Sequence, residues 1–156
     1  MIKKLDLREK EIESKLTEIV DSISKVEDNL PGKYEDFAGL GLVKEGIYKK
    51  IEFAIESIID ICNIINSDLR LGSPETEDSI LDNLETNNIF DKKIIDLIRE
   101  MKGFRNILVH KYGKVDERKA FVNIHDGLKD FELIIKEIES FLKKYQEKRN
   151  NKGNRK

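Results

Sequence analysis

The chain has 156 residues, enough for one packed core and short for two. Apolar and charged residues each make up 38%, with two prolines and no tryptophan, a balance that suggests helices with charged outer faces. The longest apolar stretch, residues 51–65, is broken by Glu52, Glu56, Ser57 and Asp60, so no membrane span is expected. The first ten residues lack an uninterrupted apolar segment, so no signal peptide is expected either. The one cysteine, Cys62, cannot form an internal disulfide and lies in an apolar run. It reads as a buried thiol in a reducing cytoplasm.

In the first helical pattern, Ile12, Leu16, Ile19, Ile23, Val26 and Leu30 alternate spacings of four and three and form one stripe. Pro31-Gly32 stops it, and the stretch to Gly41 reads as a connection. Ile47, Ile51, Ala54, Ile58, Ile61 and Ile65 repeat the rhythm, and Phe53, Ile55, Ile59, Cys62 and Ile64 widen the stripe. This second long helix should be the most buried. After Leu71-Gly72-Ser73-Pro74 a short helix is predicted near residues 76–85. Asp91 can cap the next helix, which carries Ile94, Leu97, Ile98, Met101, Phe104 and Leu108.

A last helix begins near Asp116, with Phe121, Ile124, Leu128, Phe131, Ile135, Ile138, Leu142 and Tyr145 in unbroken 3,4 spacing. The expected fold is all-α: an antiparallel four-helix bundle with one additional short helix, forming a single domain over residues 1–147. From Lys143 onward seven basic residues face one acid, a charge of +6 that leaves −8 for the rest. Residues 148–156 read as a basic, disordered tail, which either keeps the chain soluble or recruits nucleic acid phosphates.

Only His110 and His125 can support histidine chemistry. His125 lies beside the last stripe and reads as a structural or solvent-facing group. His110 has more telling neighbours. At 100° per residue, Arg105 falls at the margin of the apolar stripe, Tyr112 about 20° from it and His110 about 140° from it. A guanidinium there must find an anion, a carbonyl or solvent. Either the helix ends and turns His110 inward, or a second copy completes the site. Such a set could cut RNA. His110 would move a proton from the ribose 2′-hydroxyl or to the leaving oxygen, Arg105 would stabilise the charged transition state, and Asn106 would hold the phosphate or the helix end. No metal or cofactor is needed for this route. The plain alternative is Arg105 paired with an acid, a surface His110 and a packed Tyr112.

Residues 103–112, GFRNILVHKY, resemble the signature of HEPN-domain toxins of the HepT type: an Arg, four residues, His, one residue, Tyr. The context agrees, with the motif late in one helix, a long helix after it and a broad apolar helix (residues 43–68) before it. The resemblance covers roughly residues 14–144. It implies a metal-independent endoribonuclease, the toxin of a toxin–antitoxin pair, acting as a homodimer on RNA in the cytoplasm. Carried over, Arg105 and His110 are catalytic, and Tyr112 is the tyrosine that a minimal nucleotidyltransferase antitoxin adenylylates. The added phosphate would repel substrate. The family's extra polar position on the second long helix falls on Glu52, Asp60 or Asn63. No contact with DNA is expected. A rival reading is a non-catalytic helical module that binds a nucleotidyltransferase or a nucleotide and presents Tyr112.

Overall fold

The computed structural model describes residues 6–110 and 115–153, which are helical with short connections and contain no strand. Six helices follow in order: α1 (Glu9–Asn29), α2 (Tyr34–Ala38), α3 (Leu42–Asp68), α4 (Glu77–Thr86), α5 (Lys92–His110) and α6 (Glu117–Gly153). The four long helices pack as a ring, α1 on α3, α3 on α5, α5 on α6 and α6 on α1. Helix α2 leans on α6, and α4 bridges α3 and α5. The short helices therefore number two, not one. Helix α2 is only five residues long and anchors itself by burying Phe37 against Phe121, with ring centroids 5.2 Å apart. One buried apolar residue in so short a segment leaves no periodic signal.

The stripes become the core. Ile12, Leu16, Ile19, Ile23 and Val26 of α1 are buried, as are ten apolar residues of α3 from Ile47 to Ile65. Burying each such side chain contributes about 1.5–3 kcal/mol, so the wide face of α3 makes it the centre of the fold. Phe53 departs from the expectation. It is 39% exposed, because it lies on the outer side of the α3 stripe. Cys62 is fully buried, and desolvation pushes its thiol up to about 12. Among the described residues no helix is long and apolar enough to cross a membrane.

Local chemistry sets the helix starts. The Thr76 hydroxyl accepts from the Ser79 backbone N–H at 3.0 Å, while the Thr76 N–H donates to the Ser79 hydroxyl at 2.9 Å, a reciprocal cap on α4. The Asp91 carboxylate accepts from the Ile94 N–H at 3.0 Å, and Asp116 from that of Lys119 at 3.1 Å. Helix α6 does not stop at residue 147. It runs to Gly153, so residues 148–153 of the expected disordered tail are helical. No glycine or proline interrupts it between residues 128 and 152. Its end is fastened by an Arg149–Glu9 ion pair and by the Leu7 N–H donating to the Tyr145 hydroxyl at 3.2 Å.

Candidate active site

The second half of α5 carries the motif. Its position depends on α4, which is held by an amide pair, Asn66 buried and Asn83 half-buried. Asn66, fully buried on α3, donates to the Gly72 carbonyl at 3.0 Å, and its own carbonyl accepts from the Asn83 amide at 3.1 Å. The approach is close enough that a Cβ on Gly72 would lie 2.6 Å from Asn83 Nδ2. This clamp fixes the loop before α4, and the Thr76–Ser79 cap then starts the helix with Glu77 and Asp78 facing α5.

Arg105 is 12% exposed, and both of its bidentate edges are filled. Its end-on fork donates to Glu77, Nη1 to Oε2 at 3.0 Å and Nη2 to Oε1 at 2.8 Å. Its side fork, Nε and Nη2, donates to the Asn106 carbonyl at 3.3 and 2.8 Å. Hydrogen bonds from Arg105 hold the Glu77 carboxyl below its ordinary value, against the opposing effect of burial. Glu77 raises the Arg105 guanidinium in turn, and the charges of Glu56 and Glu52 on α3 add to this. The pair matches the plain alternative of an arginine bound to an acid.

The helix runs to His110, the last described residue before position 115. Position 110 falls one turn beyond Asn106 on nearly the same face, the spacing at which side chains are neighbours. Arg105 and Asn106 are thus brought together, with Asn106 between Arg105 and position 110 along the surface. The side chain of His110, and Tyr112 as a whole, lie outside the described residues.

Among the candidates on the second long helix, Glu52 bears on Arg105 through its charge. Asp60 pairs with Lys15 at 3.5 Å, and Asn63 is exposed. His125 packs its ring edge against Phe121 at 4.6 Å and places Nε2 3.0 Å from the Pro31 carbonyl, a structural role. On the opposite face of α5 a cleft of about 500 Å³ opens toward α3 and α6. Its lining includes Phe104 and Ile107 with Glu100, Asp126 and Asp130, and among the described residues no basic side chain. That charge disfavours a phosphate there.

Sequence spacing did not reveal Glu77, 28 residues before Arg105, or Lys102 and Arg99, which continue the cationic side of α5 toward its start. The Lys102 ammonium donates to Asp78 at 2.8 Å, and Arg99 pairs with Asp78 at 3.0 Å and with Asp82.

The sequence model of the family described as Ribonuclease HepT-like matches residues 19–138, more than three quarters of the chain. The chain belongs to the HepT-like ribonuclease family. It is 29% identical over 98 residues to the mRNA nuclease HepT of Shewanella oneidensis, an alignment covering 63% of this chain and 74% of that one. It is 25% identical over 139 residues to a putative RNase of Archaeoglobus fulgidus, covering 89% and 98%. Among solved structures, it superposes on the tri-AMPylated HEPN toxin of Shewanella oneidensis in complex with its MNT antitoxin. The TM-score is 0.75 at 26% identity, over 83% of this chain and 97% of that one. The Bacillus subtilis cytosolic protein YutE shares the fold, with a TM-score of 0.76 at 18% identity.

Proposed function

We propose that this HepT-like ribonuclease is the toxin of a toxin–antitoxin pair and cuts RNA with Arg105 and His110. The observation that carries the assignment is the setting of Arg105. It is an almost buried guanidinium next to Asn106, one turn before the position of His110, inside the segment that the family model matches. In the reaction His110 moves the proton of the ribose 2′-hydroxyl or delivers one to the leaving 5′-oxygen. The 2′-oxygen attacks the phosphorus, and Arg105 stabilises the extra charge on the equatorial oxygens. Asn106 supports this by holding the guanidinium's side fork.

The chain works as a homodimer in the cytoplasm, the two motifs facing one cleft. The exposed Ile107, 41% accessible within the motif, suits such an interface. Tyr112 is the point of control. The S. oneidensis toxin to which this chain is similar is tri-AMPylated in its antitoxin complex, and adenylylation of Tyr112 by a minimal nucleotidyltransferase would place phosphate in the RNA path.

Expression of the wild-type chain without its antitoxin should arrest growth, and the purified protein should cleave RNA. Arg105→Ala and His110→Ala should each abolish both effects. Co-expression with the antitoxin should add adenylyl mass that disappears in Tyr112→Phe. An active His110→Ala variant would sink the assignment.

The Arg105–Glu77 pair favours a second reading, a module that presents Tyr112 and has no catalysis of its own. In that case His110→Ala leaves the growth effect intact and Tyr112→Phe removes it.

A further inference from the structure

Three cations, Arg99, Lys102 and Arg105, stand on one face of α5 at successive three-residue steps, a row about 9 Å long along the helix axis. Three carboxylates of α4, Glu77, Asp78 and Asp82, cover them. The order of the layers is the telling point. The side chains of Arg99, Lys102 and Arg105 are 31, 18 and 12% exposed, whereas those of Asp78, Asp82 and Glu77 are 61, 66 and 38% exposed. Every acid is therefore the outer partner. Elsewhere the order is mixed: the Lys92 side chain is 78% exposed against 50% for Asp96 and Lys49 76% against 17% for Glu52, whereas Lys15 is 25% against 59% for Asp60 and Lys44 17% against 37% for Glu117. What sets this row apart is three covered cations side by side on one helix face.

We infer that this row is a phosphate-binding track for the RNA backbone, leading to Arg105, and that the α4 carboxylates are a displaceable cover over it. The inference rests on the ribonuclease reading for the identity of the strand.

The exchange is chemically even, since each phosphate brings the single negative charge and the acceptor oxygens that a departing carboxylate removes. Asp78 and Asp82 are solvent-exposed and their ion pairs hold weakly, while the half-exposed Glu77 grips Arg105 more firmly and is the last part of the cover to leave. Helix α4 need not move, because its own grip is the buried Ile80, Leu81 and Leu84 on its other face. Rotation of the acidic side chains is enough. Arg105 in particular has no free fork for a phosphate while Glu77 and Asn106 hold it. The remaining flank of the row is α3, where Glu52 and Glu56 act on Arg105 through their charges.

The test uses the full chain and a fluorescent 2′-O-methyl oligoribonucleotide, which binds but offers no nucleophile for cleavage. Asp78→Asn combined with Asp82→Asn should tighten binding at least about threefold at low salt and steepen the slope of log Kd against log salt by about 0.7 for each cation uncovered. Adding Arg99→Gln and Lys102→Gln to that variant should reverse both changes. Binding that is unaltered by removing the two acids, or that survives loss of the two cations, overturns the track. Cleavage of unmodified RNA by the wild type is scored separately. Its absence would refute the ribonuclease reading, while the binding series still decides whether the row takes a nucleic acid backbone. Melting curves of each variant check that the fold is kept.

Discussion

Replacing Glu77 by Ala isolates the contact that holds Arg105. The substitution removes both acceptors of the end-on fork and leaves a guanidinium that is 12% exposed with Asn106 as its remaining hydrogen-bond partner. Breaking a fully buried pair costs roughly 3–5 kcal/mol, and an exposed pair contributes at most about 1. With the carboxylate 38% exposed, water can replace part of the lost contact, so about 1–2 kcal/mol is expected. For a chain of this size that is a fall in Tm of roughly 3–6 °C at neutral pH. The pH dependence supplies an independent check. Arg105 lowers the carboxyl of Glu77 below its ordinary 4.5 in the folded chain, so the unfolded chain binds the proton more readily. The stabilisation is complete above the unfolded value and is lost as pH falls through the folded one. Calorimetry of the wild type and Glu77→Gln should therefore give curves that differ at pH 7 and converge as the pH falls through the lowered value of the Glu77 carboxyl. If Glu77→Ala melts within a degree of the wild type at pH 7, the fork is not holding the two helices together and the reasoning fails.

Two further outcomes probe the scaffold. Asn66→Ala should destabilise the chain by about 1–3 kcal/mol, because it leaves the Gly72 carbonyl and the Asn83 amide without their buried partner. The loss should appear first as faster amide exchange in α4. Cys62, with its thiol pushed up to about 12 by burial, should not react with a thiol reagent at pH 8 in the native chain. It should label stoichiometrically on unfolding, and rapid native labelling would contradict its burial.

The long helices were legible because a 3,4 rhythm sustained over several turns admits few other structures, and α1, α3, α5 and α6 bury most of the stripes that rhythm defines, with Leu97, Phe104, Leu108, Leu128 and Ile135 only partly buried. The short helix at Thr76 was legible from the Leu71-Gly72-Ser73-Pro74 break before it, while its reciprocal cap came only from the structure. Helix α2 was not, since its stability comes from Phe37 meeting Phe121, a contact between segments 84 residues apart. The extent of α6 was misjudged because a run of like charges suggested disorder. Ion pairing of Arg149 with Glu9 offsets part of that repulsion. In the site, the wheel placed Arg105 at the edge of the stripe, where it does stand. Its partner could not be read, because Glu77 reaches it through the Asn66–Gly72 clamp, and no local spacing encodes how two helices dock.

That same fastening of α6 to α1 has a kinetic consequence. The contacts Leu7–Tyr145 and Glu9–Arg149 close loops of 138 and 140 residues, nearly the whole length of the chain. Loop closure is costliest in entropy for such distant pairs, and the reward here is polar and partly exposed. The seam between the first turn of α1 and the last turns of α6 should therefore form after the core and open before it. In native-state hydrogen exchange it should behave as the least stable cooperative unit of the described fold, fraying while α3 remains protected.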